Sequence, residues 1–88
     1  MTLFNKTISI VGGTGHVGLP LGLALSEKNF KVQLIDINKE NINKVNNGIM
    51  PFLEEGSEKI LRKNIKKKNI FASNKTNLIK NSKYIIVC

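Results

Sequence analysis

Residues 8–18 of this chain read ISIVGGTGHVG, a short apolar run that leads into a cluster of glycines. The run Ile8 to Val11 is mostly β-branched, which predicts a buried β-strand that ends at the glycines. Beyond them, from about Gly15 to Lys28, apolar residues recur at the spacing of one helix face. This periodicity, carried by Val17, Leu21, Ala24 and Leu25, predicts a first helix.

The rest of the sequence repeats the alternation of strand and helix. Val32 to Ile35 is a second apolar run, Asn38 is a residue type that caps helices, and Asn47-Gly48 is a pair that ends them. The further predicted elements are a helix from near Ser57 to Lys67, a strand over Ile70–Ala72, a short helix or turn over Ser73–Asn81 and a strand over Tyr84–Cys88. This order predicts an α/β fold, a doubly wound parallel sheet of about four strands with intervening helices.

The final predicted strand has no helix after it in this sequence. A parallel strand is normally buried on both faces, so a further helix is needed to cover this strand. We therefore expect residues 1–88 to be the N-terminal part of a larger enzyme, whose remaining domains lie outside them.

Length and composition narrow the class of protein. The 88 residues allow one small domain, and the longest nearly apolar run is Leu19–Leu25. That run is far shorter than the ~20 residues of a membrane span, and no signal-peptide pattern is present. A single cysteine, Cys88, excludes an internal disulfide and fits a reducing compartment. We expect a cytoplasmic protein with no membrane partner.

The formal net charge of +8 raises the question of a nucleic-acid partner. The densest basic cluster, Arg62–Lys68, follows the acidic residues Glu54, Glu55 and Glu58 in one predicted helical region. Acids at a helix start and bases at its end are the arrangement that the helix dipole favours. Phe71 is the one aromatic residue close to the cluster, so bases would find no stacking platform. The pattern favours a solvated helix face and no nucleic-acid binding.

The glycines fit the dinucleotide-binding pattern G-x-G-x-x-G, with Gly13, Gly15 and Gly18 between a predicted strand and a predicted helix. Gly13 would permit the tight turn, Gly15 would let the backbone approach a pyrophosphate, and Gly18 would let the helix pack closely on the sheet. The positive end of the helix would face the phosphates. The pattern predicts the first half of a Rossmann-type domain.

Asp36 supplies the acidic partner that this pattern requires. It lies 18 residues after Gly18 at the end of the second predicted strand. A carboxylate there accepts hydrogen bonds from the adenosine ribose and repels a 2′-phosphate, so we expect NAD rather than NADP. The predicted cofactor-binding residues are Gly13, Thr14, Gly15, His16, Val17, Gly18, Asp36, Ile37 and Asn38.

Plainer interpretations of the same residues stay open. Each glycine could serve a simple turn, and Asp36 could cap a helix or lie in a surface turn. His16 is interpreted as a loop-surface residue rather than an acid–base catalyst, because a pyrophosphate offers it no reacting group. Pro20 is expected about one turn into the first helix, where it would produce a mild kink and cost up to ~3 kcal/mol in a regular interior.

The stretch Val17-Gly18-Leu19-Pro20-Leu21 resembles the UDP-glucose/GDP-mannose dehydrogenase family, the nucleotide-sugar dehydrogenases. Three further stretches are similar to parts of that family: Asp36-Ile37-Asn38, the loop Asn47–Phe52 followed by Glu54-Glu55-Gly56, and the strand Tyr84–Cys88. The resemblance extends from Ile8 to Cys88. The histidine at position 16 and the Met-Pro-Phe sequence of the loop resemble more closely the members that handle N-acetylated UDP-sugars, of the UDP-N-acetylmannosamine type.

This resemblance implies an enzyme that oxidises the C6 alcohol of a UDP-sugar to the carboxylate with two NAD, through a thiohemiacetal on a catalytic cysteine. In the family that cysteine and its lysine, asparagine and acidic helpers lie far downstream. No catalytic residue and no metal site is therefore expected in these 88 residues, and Cys88 is expected to be a packed strand residue. The resemblance also implies a homo-oligomer formed through a later segment.

One position departs from the family. Many relatives have a lysine or arginine five residues after the aspartate, near the adenosine half of the cofactor, where this sequence has Asn41. Lys39 could take over that charge, or the contact could be lost. Glu54 could order its loop or be a solvated acid at a helix start.

Three other functions are weighed against this one. A stand-alone, non-catalytic dinucleotide-binding module would use the same glycines, and a basic nucleic-acid binder would require affinity that falls steeply with salt. A prephenate or cofactor-F420-type reductase shares the glycine start. It does not explain the loop from Pro51 to Gly56.

Overall fold

The structure, a computed structural model, describes residues 6–88. Its strands are β1 (Thr7–Val11), β2 (Lys31–Ile35), β3 (Ile70–Ser73) and β4 (Tyr84–Val87), and its α-helices are α1 (Gly18–Glu27), α2 (Lys39–Asn46) and α3 (Ser57–Lys66). A 3-10 helix, Thr76–Asn81, precedes β4. The four strands form one parallel sheet in the order β3-β2-β1-β4. The predicted Rossmann-type α/β fold is confirmed.

The order of the strands reverses at β1. The chain moves outward from β1 to β2 and β3, and then returns to place β4 on the other side of β1. Ile10 of β1 is therefore paired with Leu34 on one side and with Ile86 on the other. In open α/β sheets, ligands bind outside the carboxyl ends of the strands at such a reversal point.

Helix α1 packs on the sheet through residues that the apolar periodicity indicates only in part. The helix begins at Gly18 rather than near Gly15, and Val17 is 69% exposed. Leu21 and Leu25 are partly buried against the core and Ala24 is exposed, whereas the fully buried residues of the helix are Gly18, Leu19, Gly22, Leu23 and Ser26. Glycine and serine add little to an apolar pattern, yet their small size lets the helix backbone approach the sheet. A Cβ added at Gly22 would lie 2.8 Å from Leu34 Cδ2.

The later start of α1 also changes the expected effect of Pro20. Pro20 is the third residue of the helix rather than a residue one turn inside it. The amides on either side, of Leu19 and Leu21, donate to Gly15 O and Val17 O at 3.1 and 3.2 Å, so the missing N–H of Pro20 leaves His16 O without the corresponding bond. A proline is tolerated in the first turn of a helix, and its cost there is below that expected for a regular interior.

The predicted ends of α2 and the position of α3 are confirmed. The side chain of Asn38 accepts a hydrogen bond from the Asn41 backbone N–H at 3.0 Å and caps α2. The helix ends before Asn47, and Gly48 follows with φ of 77°. In α3, Leu61 is fully buried in the core that Ile10 and Leu34 also form.

The basic cluster is partly paired on the surface of α3. Arg62 contacts Glu58 at 3.3 Å, and Lys63 contacts Glu27 of α1 at 2.9 Å. The hydrogen bonds from Lys63 and Asn64 hold the pKa of the Glu27 carboxyl below its usual range. In the part of the chain that the structure describes, no helix is both long and apolar enough to cross a membrane.

Candidate cofactor site

The glycine turn, residues 12–18, leaves the end of β1, is fastened to the end of β2 and runs into the first residue of α1. The backbone N–H groups of Gly12 and Gly13 both donate to the carbonyl of Ile35, at 2.8 and 3.2 Å. Gly15 N–H donates to Gly12 O at 3.3 Å. The first part of the turn is therefore held at the reversal point of the sheet by backbone hydrogen bonds, two to β2 and one within the turn.

The three glycines of the pattern are constrained in different ways. A Cβ on Gly13 would lie 2.7 Å from Leu34 Cα, and a Cβ on Gly18 would collide with the carbonyl oxygen of Gly12. A Cβ on Gly15 meets only Gly12 O, at 3.5 Å. Gly13 and Gly18 are thus required by packing inside the protein, whereas the space beside Gly15 is open. The left-handed backbone of the turn lies at Gly12, with φ of 79°.

The N-terminus of α1 leaves three amide groups without a partner. Among the described residues, the backbone N–H groups of His16, Val17 and Gly18 find no acceptor, and Val17 provides no side-chain cap. The first bonded amide is that of Leu19, which donates to Gly15 O at 3.1 Å. Unpaired N–H groups at the positive end of a helix are a binding site for phosphate groups. A dinucleotide pyrophosphate fits this donor set.

Asp36 is bonded to the glycine turn. Its Oδ2 accepts from the backbone N–H of Thr14 at 3.0 Å and from the Thr14 hydroxyl at 2.8 Å. Its Oδ1 accepts from the N–H groups of Ile37 and Asn38 at 2.8 and 3.2 Å. Partial burial raises the pKa of the Asp36 carboxyl, but these four hydrogen bonds outweigh it, and the pKa lies below the ordinary 3.8. Asp36 is therefore a carboxylate at neutral pH.

The other predicted residues lie near this carboxylate. Ile37 is 91% exposed beside it, and Asn38 uses its side chain to cap α2. Asn41, at the position where the family often has a cation, is directed to the glycine turn, because its Nδ2 lies 3.5 Å from Thr14 Oγ1. Lys39 is exposed and makes no salt bridge with a described residue.

Sequence reasoning missed two features of the site. A cleft of about 280 Å³ opens at the carboxyl ends of the strands, and beside the predicted Asp36 and Ile37 its lining includes Asn74, Thr76 and Cys88. Cys88 is exposed and follows β4, so the prediction that it is a packed strand residue is wrong. Asn74 and Cys88 directly follow β3 and β4, so the rule that ligands bind at the carboxyl ends of strands could have indicated them. The second feature is a ring stack between His16 and Phe52, with centroids 4.2 Å apart. No local pattern pairs these residues.

Comparison with known proteins adds a family to this geometry. Residues 6–88 match the family described as "UDP-glucose/GDP-mannose dehydrogenase family, NAD binding domain". The UDP-glucose 6-dehydrogenase YwqF of Bacillus subtilis is 46% identical over 52 residues, which are 59% of this chain and 12% of that protein. The chain thus spans a small fraction of the length of this relative.

Solved structures show the same fold. A ternary complex of GDP-mannose dehydrogenase from Pseudomonas aeruginosa matches with a TM-score of 0.87 and 26% identity, over 92% of this chain and 19% of that one. The UDP-D-ManNAc dehydrogenase of Pyrococcus horikoshii matches with a TM-score of 0.88 and 24% identity, over 94% of this chain and 20% of that one. At this identity the second match supports the fold alone.

Proposed function

This chain belongs to the UDP-glucose/GDP-mannose dehydrogenase family, and we propose that it is the N-terminal part of the NAD-binding domain of a nucleotide-sugar 6-dehydrogenase. The observation that carries the proposal is a group of three unpaired amides, those of His16, Val17 and Gly18. They begin two residues after Thr14, whose N–H is bonded to the Asp36 carboxylate. Phosphate and ribose are the two ligand groups that such donors and such an acceptor recognise.

The proposed reaction is oxidation of the C6 alcohol of a UDP-sugar to the carboxylate. Two NAD accept the two hydrides that this four-electron oxidation releases. The family match supports NAD as the cofactor. The residues that act on the sugar, and those that join subunits in a homo-oligomer, are proposed to lie outside residues 1–88, and the protein is proposed to work in the cytoplasm.

Residues of this chain bind and orient the cofactor. The unpaired amides hold the pyrophosphate, and the open space beside Gly15 lets the ligand approach the backbone. Asp36 is positioned by Thr14 for the adenosine ribose. A ribose hydroxyl adds to, or replaces, the contact with the Asn38 N–H, which at 3.2 Å is the longest of the four that Asp36 accepts.

The proposal is tested by calorimetric titration of the full-length protein with NAD and with NADP. We expect NAD to bind at least about tenfold more tightly than NADP, because Asp36 repels a 2′-phosphate. Asp36→Ala should lower the affinity for NAD by about ten- to a hundredfold, which is the usual effect of losing hydrogen bonds to a charged group. Glu40→Ala is the matched control, since it removes an exposed carboxylate from the first turn of α2.

The outcome of that titration decides the proposal. Equal affinities for NAD and NADP, or an Asp36→Ala variant that binds NAD as the wild type does, would contradict the assignment of Asp36.

The sugar substrate is identified by measuring which nucleotide sugars the full-length protein oxidises. We propose a UDP-N-acetylhexosamine, and activity with UDP-glucose or GDP-mannose but not with UDP-N-acetylmannosamine would contradict that choice.

A further inference from the structure

The side chain of His16 does not lie free in the glycine turn. Its ring stacks on Phe52, with the centroids 4.2 Å apart and the ring planes inclined by 21°. Phe52 belongs to the α2–α3 loop, residues 47–56, which is distant in sequence from the glycine turn. The stack therefore joins the proposed phosphate-binding turn to a second loop.

The α2–α3 loop is itself fastened to α3. Glu58 accepts a hydrogen bond from the Met50 backbone N–H at 2.9 Å, and Arg62 Nε donates to Gly48 O at 3.0 Å. Glu58 and Arg62 also contact each other. Phe52 is half-buried and packs against the core of the sheet. Phe52 is therefore packed on the core within a loop that is fastened at Gly48 and Met50, and such a ring can fix the position of a ring that stacks on it.

His16 is the residue of the turn that most needs such a contact. Thr14 is held by Asp36, and Gly15 N–H is bonded to Gly12 O. From His16 to Gly18 the backbone N–H groups have no acceptor among the described residues. Val17 O accepts from the Leu21 N–H at 3.2 Å, but neither the N–H nor the carbonyl of His16 is bonded to a described residue, so side-chain packing is what restrains this residue.

We propose that Phe52 is a positioning residue for cofactor binding. It stacks on His16 and so holds the unpaired amides of residues 16–18 in the arrangement that receives the pyrophosphate. This inference rests on the proposed function. Phe52 itself touches neither the phosphates nor the ribose in this proposal. It raises affinity by reducing the conformational freedom that the turn loses on binding.

The test is a double-mutant cycle in the full-length protein, with NAD and adenosine as ligands. Phe52→Leu keeps an apolar side chain of similar size but removes the stack. Phe52→Tyr keeps the stack and is the matched control. We expect Phe52→Leu and His16→Ala each to lower the affinity for NAD by about three- to tenfold, which corresponds to the loss of one aromatic pair. The double variant should be no weaker than either single variant, because both remove the same contact.

Adenosine separates positioning from a general loss of structure. It has no phosphate, so its affinity should stay within about twofold of the wild type in both single variants. His16→Phe, which can still stack, should recover most of the NAD affinity that His16→Ala loses. This variant keeps the test decisive even where Phe52→Leu does not fold.

The possible results separate this inference from the proposed function. A wild-type protein that binds no NAD overturns both. A wild type that binds NAD, with unchanged affinity in Phe52→Leu and His16→Ala, overturns the role of Phe52 alone. So do additive effects in the double variant, or equal losses for NAD and adenosine.

Discussion

The two halves of the glycine turn differ in where their amides are directed. From Gly12 to Gly15 every backbone N–H is bonded within the protein, to Ile35 O, to Asp36 or to Gly12 O. From His16 to Gly18 no N–H has an acceptor in residues 6–88. The first half anchors the turn to the sheet, and the second half leaves free donors, which we propose bind a ligand. One short sequence motif therefore serves two separable purposes.

The two halves are also restrained by different chemistry. Thr14 is held by a carboxylate through two hydrogen bonds, whereas His16 is held by an aromatic stack. Hydrogen bonds to a charged group are worth about 1.5–3 kcal/mol, and an aromatic pair about 0.5–1.5 kcal/mol beyond its buried area. We therefore expect the anchoring half to dominate stability, and the presenting half to affect binding more than stability.

The largest effect is expected from alanine at Gly18, compared with alanine at Gly15. A Cβ at Gly18 collides with the Gly12 carbonyl, and overpacking of this kind costs about 1–3 kcal/mol. Gly18→Ala should lower the melting temperature and abolish NAD binding. Gly15→Ala meets no atom closer than 3.5 Å, so it should leave the melting temperature nearly unchanged and still weaken NAD. Similar melting temperatures for both variants would contradict the conclusion that Gly18 is required by packing and Gly15 is not.

A smaller effect is expected at Thr14. Its side chain is buried, and Thr14→Val removes the hydroxyl that donates to Asp36 while keeping the shape. Denaturant unfolding should show a loss of about 1–2 kcal/mol, and Thr14→Ser, which keeps the hydroxyl, should lose less than half of that. A Thr14→Val variant as stable as the wild type would show that the anchor lies in the backbone alone.

The smallest effect is expected on the stability of the protein at acid pH, where Asp36 becomes protonated. The folded-state pKa of Asp36 lies below its ordinary value of 3.8, so its contribution to stability is present above pH 4 and is lost as the pH falls through the folded-state pKa. The difference in melting temperature between the wild type and Asp36→Asn should therefore shrink between pH 5 and pH 2. A difference that grows in acid would contradict the lowered pKa. The effect is small because the carboxyl group is mostly solvated.

The strands and Asp36 could be predicted from the sequence because their signals are local. β-branched runs mark β1 and β2, and Asp36 follows β2 at the spacing typical of the acid that the dinucleotide-binding pattern requires. The buried face of α1 could be predicted only in part: Leu21 and Leu25 do pack against the core, but Gly22 and Ser26 are buried for their small size and leave no apolar signal. The stack of His16 on Phe52 depends on how two distant loops meet, which periodicity does not encode.

The most direct measurement is hydrogen–deuterium exchange of the full-length protein with and without saturating NAD, followed in peptides that cover residues 14–20. The amides of His16, Val17 and Gly18 have no acceptor in the described chain, so they should exchange fast in the free protein and markedly more slowly once a pyrophosphate accepts from them. NAD that binds while exchange at these three amides stays unchanged would contradict the account.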